Sequence, residues 1–191
     1  MIEEIRDLVE NACKQETNVY GYGAWSHHIA LVATYALKLS RQLGGDAEVI
    51  ELAALLHDYA SVINKDYYPE HHLHGARLAE ELLLSLNYPR EKITLVQQCI
   101  LSHRSSQRTL RKTLEAKIIA DADGLSHFDD VPSLLYLAFV KTGLGIDAGA
   151  MWVLEKLKRD WEGLELPESR ALAKKKYQAA KVMLTRSFLS C

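Results

Sequence analysis

Apolar residues recur along most of the chain at the three- and four-residue spacing that is typical of amphipathic helices. Near the N-terminus, Ile2, Ile5, Leu8 and Val9 form the first such stripe. Sustained alternation of apolar and polar residues, which would indicate strands, is absent. With glycines, prolines and N-cap residues as boundaries, the pattern predicts an all-α protein with further helices over residues 25–43, 46–58, 69–86, 89–102, 114–128, 132–143, 147–161 and 168–189.

The length and the short connections favour a single compact helical bundle. The chain has 191 residues, which suffices for one well-buried domain and is marginal for two. No linker or internal repeat divides the predicted helices. We therefore predict one domain over residues 1–191, with the chemistry in about 20–130. The helices of about 131–191 would complete the bundle or form the pairing surface of a homodimer.

Charge and cysteine usage narrow the environment and the partners. The formal net charge of −2 gives no global basic field that would attract nucleic acid or an anionic membrane. Cys13, Cys99 and Cys191 are odd in number and far apart, which favours reduced thiols over a disulfide framework. The charged N-terminus is unlike a signal peptide, and no apolar run reaches about 18 residues. These features predict a cytoplasmic protein without nucleic-acid or membrane partners.

The strongest local signal is the pair His57-Asp58, which ends a helix that is apolar all round over residues 52–56. Such a helix is typical of the centre of a bundle, where an ionised aspartate is costly unless a partner compensates it. A divalent cation is such a partner, and a neutral imidazole is a natural co-ligand for it. The alternative is a pair that caps the helix or faces water.

Two further residues strengthen the metal interpretation. His28 has apolar residues 4, 8 and 11 positions after it, which places it on the buried face of its helix. His27 would face about 100° away and is expected to be exposed. Asp123 follows a small alanine on a largely apolar helix, so it could closely approach a neighbouring helix. Asp121 could instead cap a helix or hold a ligand in place.

In this order and with these flanking residues, the sequence resembles the HD superfamily of metal-dependent phosphohydrolases. That family has a His, then a His-Asp pair, then a distant Asp; the matching segments here are His28, Ala54-Leu55-Leu56-His57-Asp58 and Ala122-Asp123-Gly124-Leu125. The resemblance covers roughly residues 20 to 130. It implies a helical bundle and a divalent metal ion (Mn, Fe, Mg, Ni or Zn) held by His28, His57, Asp58 and Asp123, with His57 and Asp58 at the catalytic centre.

Some branches of this family carry two further histidines and bind a second metal ion. The similar positions here are His71 or its neighbour His72, followed by His103. His74 shares a helix face with His71 and could orient it rather than bind metal. With two ions, Asp58 would be the bridging ligand. The alternative for the histidine cluster is a solvated start of a helix.

The charge of a phosphate would be met by arginines that follow His103. Arg104 and Arg108 lie closest to it in sequence, and a guanidinium offers a bidentate fork to phosphate oxygens. We assign both a phosphate-binding role as a hypothesis, and the alternative is an exposed basic loop.

The function implied by the resemblance is hydrolysis of a phosphate ester or anhydride, in a nucleotide or similar small molecule, by a metal-activated water. Two alternatives stay open. Some proteins of the same fold are di-iron oxygenases with the same kind of ligand set. Others are non-catalytic signalling or binding modules, which have lost metal ligands that this chain retains.

Overall fold

The computed structural model describes residues 1–107 and 109–185, and within them it contains helices and loops but no strand. The helices are α1 (Ile2–Cys13), α2 (Ala30–Leu43), α3 (Ala47–Leu56), α4 (Tyr59–Ile63), α5 (His71–Ser85), α6 (Arg90–Ser102), α7 (Leu114–Asp129), α8 (Val131–Tyr136), α9 (Ile146–Gly163) and α10 (Pro167–Leu184). The predicted all-α class is confirmed. None of the described helices is long and apolar enough to cross a membrane.

Helix α3 lies at the centre of the bundle, and its sequence explains why. Seven of its ten residues are buried, including every residue from Leu52 to Leu56. It packs against α1, α2, α6 and α7. Asp46 caps its first turn by accepting hydrogen bonds from the backbone amides of Glu48 and Val49 at 3.1 and 3.2 Å.

Helix α7 is the second central element and joins the two parts of the bundle. It packs against α2, α3 and α6 on one side and against α9 and α10 on the other. Eleven of its sixteen residues are buried. Buried residues from α1 through α10 form one hydrophobic cluster, so the C-terminal helices share the core of the rest of the chain.

The structure adds four short elements that periodicity did not predict and moves one boundary. One of the four is α4, which directly follows Asp58. A π-helical turn, Trp25–Ile29, opens the helix expected over 25–43, and a second one, Leu137–Lys141, follows α8. Pro69 does not open α5, because it lies in a 3₁₀ turn, Lys65–Glu70, that comes just before that helix. Helix α10 is described to Leu184; the part of its expected range beyond residue 185 lies outside the described residues.

Candidate metal centre

Side chains from five separate segments meet at one end of α3. They are His28 in the first π-helical turn, His57 and Asp58 just after α3, His71 at the start of α5, His103 just after α6, and Asp123 in α7. The α-helical run stops at Leu56, and Asp58 has φ −109° and ψ 4°. This break lets two adjacent side chains reach the same place, which a continuous helix would direct about 100° apart.

One half of the cluster is built around His28. Its Nε2 lies 3.1 Å from Nε2 of His57, 3.3 Å from Oδ2 of Asp58 and 3.5 Å from Oδ1 of Asp123. Ligand atoms that bind one ion at about 2.1 Å lie roughly 3.0–3.4 Å apart at ordinary angles. These separations therefore match the spacing of atoms that share a metal ion.

The other half uses the second oxygen of the same aspartate. Nε2 of His71 lies 3.2 Å from Oδ1 of Asp58 and 3.1 Å from Nε2 of His103. Nε2 of His103 is 3.7 Å from that oxygen. The two carboxylate oxygens of Asp58 thus face two different groups of imidazoles, as the oxygens of a bridging ligand do.

Local hydrogen bonds fix which ring nitrogen of each histidine carries a proton. The Nδ1 atoms of His57, His71 and His103 lie 2.6–2.8 Å from the carbonyl oxygen of the residue three positions earlier. A carbonyl only accepts, so each Nδ1 carries the hydrogen and each neutral ring keeps a lone pair on Nε2. His28 Nδ1 donates in the same way to Ser126 Oγ at 3.0 Å, since that hydroxyl donates its own hydrogen to a backbone carbonyl.

This arrangement fits a divalent metal. With Nδ1 protonated, the Nε2 lone pairs of His28 and His57 face each other at 3.1 Å, and those of His71 and His103 do the same. Two acceptors at that distance repel unless a cation lies between them. A set of neutral imidazoles and carboxylates is the donor set that divalent transition metals prefer.

The charge states of the buried groups favour the same chemistry. Burial lowers the pKa of His57, and burial together with His57 lowers that of His103 to about 3, so both rings are neutral. Burial alone would raise the pKa of Asp58, but the surrounding imidazoles of His57, His28 and His71 hold it well below its usual range. For His28, burial lowers the pKa, but Asp58 and Asp123 outweigh burial and raise it. The centre therefore presents the neutral imidazoles of His57 and His103 beside an ionised carboxylate.

The family model of the HD domain matches residues 25–127, which is more than half of the chain and includes every residue of this cluster. The chain belongs to the HD domain family. The predicted family is confirmed, and with it the ability of the fold to bind divalent metal. The matched segment ends within α7, so α8, α9 and α10 lie beyond it.

Known proteins similar to this chain support the fold. The Bacillus subtilis protein YpgQ in complex with ADP superposes with a TM-score of 0.71 at 19% identity over 96% of this chain and 94% of that one. A predicted HD superfamily hydrolase from an uncultured Thermotogales bacterium gives 0.67 at 22% identity over 95% and 88%. An uncharacterised Clostridium beijerinckii protein is 28% identical over 71 residues; the match spans 37% of this chain and less than half of that relative, 45%.

Of the two neighbouring histidines that start α5, the structure brings only His71 to the centre of this HD domain. His72 is buried too, but its ring stands at 81° to that of His71, with 6.1 Å between centroids. Its Nδ1 lies 3.5 Å from Nη1 of Arg104. His74 lies elsewhere, stacked on the ring of Tyr67 at 4.1 Å.

Of the two arginines predicted to bind phosphate, the structure describes only Arg104. Arg104 lines the cavity over the metal centre, and its Nη1 donates to the carbonyl oxygen of Pro69 at 2.7 Å. This bond ties the segment after His103 to the segment before His71. Arg108 lies outside the described residues.

His27 and Asp121, the other two residues considered from the sequence, make structural contacts outside the centre. His27 is exposed and forms a pair with Asp130 across 2.6 Å at the cavity rim. Asp121 is fully buried and accepts hydrogen bonds from the amides of Glu165 and Leu166 at 3.0 and 2.8 Å, just before α10. Burial raises the pKa of Asp121. Asp123 is therefore the aspartate of this helix that reaches the centre.

The sequence analysis did not predict a group of side chains that surrounds Asp123. His127 stacks on the ring of His28 at 5.0 Å, and its Nε2 is 3.9 Å from Oδ1 of Asp123. Its Nδ1 lies 3.1 Å from both Nζ of Lys156 and Oδ2 of Asp160, two residues of α9. The spacing of four residues between Asp123 and His127 was a readable signal, because it places both on one helix face. Nothing in the sequence linked α9 to them.

The metal centre opens into a cavity of about 760 Å³. Its walls come from the segment before α2, from the turns after α3 and α6, and from α8, the second π-helical turn and α9. This volume lies within the range of about 300–1,000 Å³ that small-molecule sites occupy. The cavity is thus large enough for a ligand well beyond a single phosphate.

Proposed function

We propose that this HD domain is a metal-dependent phosphohydrolase that acts on a nucleotide or another small phosphate ester or anhydride. His28, His57, Asp58 and Asp123 would hold one divalent ion, and Asp58, His71 and His103 a second. The observation that carries the proposal is the orientation of Asp58, whose two oxygens face separate imidazole groups at 3.3 and 3.2 Å. Bound divalent cations supply a lowered water pKa and neutralise charge on a phosphoryl group.

The chain's own residues prepare the centre for that chemistry. The carbonyls and Ser126 that accept from Nδ1 hold each imidazole in an orientation that turns Nε2 toward the centre. Asp58 stays ionised at neutral pH, because the neighbouring histidines keep its pKa low. The imidazole-rich donor set favours manganese, iron, nickel or zinc over magnesium, which prefers oxygen ligands.

Substrate binding is assigned to the cavity walls. Arg104 uses one of its guanidinium N–H groups on the carbonyl of Pro69, which orients the side chain and leaves further donors for a phosphate. Tyr20, Tyr136 and Trp152 also line the cavity and offer aromatic faces to a base. The ADP bound to the structurally similar YpgQ supports a nucleotide as the substrate class. No nucleic-acid partner is expected, given the net charge of −2.

A phosphatase screen tests the proposal. Bis-p-nitrophenyl phosphate and a panel of nucleotides are incubated with the protein in separate solutions of each candidate metal. We expect phosphate-ester cleavage with at least one transition metal, and its loss in His57→Ala with helicity retained. His74→Ala is the matched control, because this histidine stacks on Tyr67 away from the centre. Full activity of His57→Ala would contradict the proposal.

The same screen separates hydrolysis from oxygen chemistry. Cleavage by the manganese-loaded protein under anaerobic conditions supports hydrolysis. An iron-loaded protein that consumes oxygen and cleaves no phosphate compound would instead support the oxygenase alternative. A protein that takes up none of the metals would support the non-catalytic module.

A further inference from the structure

Helix α9 lies beyond the segment that matches the HD domain, yet one of its faces forms a wall of the cavity. Trp152, Lys156 and Arg159 follow each other at spacings of four and three residues, and all three line the cavity. This spacing puts them in one stripe that rises about 10 Å along the helix. The stripe begins with an aromatic ring and ends with two cations.

The acidic and basic residues on the cavity walls differ in whether they already have partners. Among the described residues that line the cavity, the acidic ones are already engaged: Asp58 and Asp123 face imidazoles, and Asp130 pairs with His27 and caps α8. The basic residues are Arg104, Lys141, Lys156 and Arg159, and of these Lys156 pairs with the buried Asp160. Divalent cations bound at the proposed centre would add positive charge. With them, the cavity would favour a ligand with several negative charges.

Lys156 is held firmly beside the metal centre. Its Nζ lies 2.8 and 2.9 Å from the two oxygens of Asp160, whose side chain is fully buried. Burial alone would lower the pKa of Lys156, but the charge of Asp160 outweighs burial and raises the pKa above its ordinary value. The ammonium group therefore stays charged. About a fifth of its side chain (21%) remains exposed, and this part borders the cavity.

Asp160 connects α9 to two of the five segments that bring side chains to the centre. It accepts a hydrogen bond from Oγ of Ser105 at 2.6 Å, two residues after His103. Its other oxygen is 3.1 Å from Nδ1 of His127, four residues after Asp123. Asp160 therefore acts as a positioning residue that fixes Lys156 relative to the proposed ligands.

Arg159 adds a second cation to the same stripe. It is exposed on the cavity side, and it lies near enough to Lys156 for its charge to oppose protonation of the lysine. Because Asp160 already balances the charge of Lys156, the charge of Arg159 is the one that a bound anion would balance. A guanidinium is suited to this task, because its fork binds two phosphate oxygens at once.

We propose that Lys156 and Arg159 of α9 form an anion subsite for the phosphate chain of the substrate, next to the metal centre. The substrate would then carry at least two linked phosphate groups, such as a nucleoside di- or triphosphate, rather than a single phosphate ester. The inference rests on the proposed function, because it concerns the same cavity. It differs in assigning substrate selection to a helix outside the HD match.

Isothermal titration calorimetry with non-hydrolysable probes tests the subsite without requiring turnover. Methylenediphosphonate carries two linked phosphorus groups and methylphosphonate carries one; both are titrated into wild-type protein with a divalent metal in excess over the probe. We expect Arg159→Ala to weaken methylenediphosphonate roughly tenfold, the loss of one charge-assisted contact, and methylphosphonate less than about threefold. Lys158→Ala, an exposed lysine of the same helix outside the cavity, is expected to leave both affinities unchanged.

A second pair of variants separates binding from folding at Lys156. Lys156→Met removes the charge and leaves the buried Asp160 with only Ser105 and His127 as partners, so a loss of affinity in this variant does not separate binding from stability. Lys156→Arg keeps the charge and should retain most of the affinity for methylenediphosphonate. Equal affinities of wild-type protein and Arg159→Ala for this probe, or no binding by wild-type protein, would overturn the subsite. If wild-type protein binds the probe as expected but cleaves nothing in the phosphatase screen, the subsite stands and the hydrolase proposal fails.

Discussion

The HD-matching part of the chain, residues 25–127, and the helices that follow it reach the cavity in different ways. The first part contributes short imidazoles and carboxylates that are largely buried, and three of its imidazoles are held by hydrogen bonds to a carbonyl three residues earlier. The second part contributes long cationic side chains from α9, where Lys156 pairs with Asp160 one turn away on the same helix. That pair contacts the first part through His127 and Ser105. Short, buried ligands suit the chemistry common to a family, whereas long cationic side chains at a cavity wall can change with the substrate.

The largest expected effect comes from breaking the centre of the first part. Asp58→Asn keeps the size of the side chain but removes the charge that both imidazole groups face. Metal-assisted stabilisation amounts to several kcal/mol, so turnover should fall by roughly a thousandfold or more. Steady-state kinetics on the best substrate of the screen measures this. Retention of more than a tenth of the wild-type rate would show that Asp58 is not at the reacting centre.

A comparison of two adjacent histidines sharpens the account of the second metal. His71→Ala removes an Nε2 atom 3.2 Å from Asp58 and should lower turnover about a hundredfold or more, since even outer partners of metal ligands cost about 10–100-fold. His72→Ala, beside Arg104, should cost less than about tenfold. Kinetics and metal content of both variants are measured together. The reverse order of effects would assign the second ion to His72.

The link between the two parts is expected to contribute to stability. Asp160→Asn leaves Lys156 without its buried counter-charge, which should lower the free energy of unfolding by about 3 kcal/mol in denaturant titrations at neutral pH. Lys174→Ala, on the exposed face of α10, is the control and should change little.

The effect of Asp160→Asn should also depend on pH. Burial raises the pKa of Asp160, but Lys156 and His127 outweigh it and leave the pKa well below its usual range. The stability that this carboxylate contributes is therefore present above the ordinary pKa of about 3.9 and is lost as pH falls further. The difference between wild type and variant should shrink between pH 5 and the acid limit. A difference that stays constant over this window would mean that the charge of Asp160 is not what stabilises the link.

The smallest expected effect tests how closely α9 is held against the rest of the C-terminal part. A Cβ at Gly149 would overlap the ring of Phe139 in the second π-helical turn. Gly149→Ala should therefore lower the free energy of unfolding by about 1–3 kcal/mol despite the better helix propensity of alanine. Gly145→Ala, where a Cβ meets open space, serves as control. Equal stability of the two variants would indicate that α9 packs more loosely.

Much of the fold could be predicted, because long amphipathic helices carry a strong periodic signal. The boundaries of α6 and α7 fall within a residue of those expected, and the Asp46 cap was readable as well. Helix α4 and the 3₁₀ turn that contains Pro69 are too short for any period to show. A proline near the start of a helix also fits a 3₁₀ turn, so the sequence did not distinguish the two.

The residues of the candidate site likewise fall into those that the sequence could predict and those that it could not. His28, His57, Asp58 and Asp123 carry a motif, and their placement together follows from the helices that bear them. Whether His71 or His72 faces the centre depends on how α5 is rotated about its own axis. Packing against the neighbouring helices sets that rotation. Gly75 illustrates this packing, since a Cβ there would lie 3.2 Å from Ile100 and 3.5 Å from the carbonyl oxygen of His57. Contacts of α9 across the bundle have no local signature at all.

Anomalous diffraction from crystals of the manganese-loaded protein tests the central claim most directly. The account predicts two peaks that share Asp58, one among His28, His57 and Asp123 and the other beside His71 and His103. A single peak would contradict the bridging role of Asp58. The absence of any peak at these residues would contradict the metal centre itself.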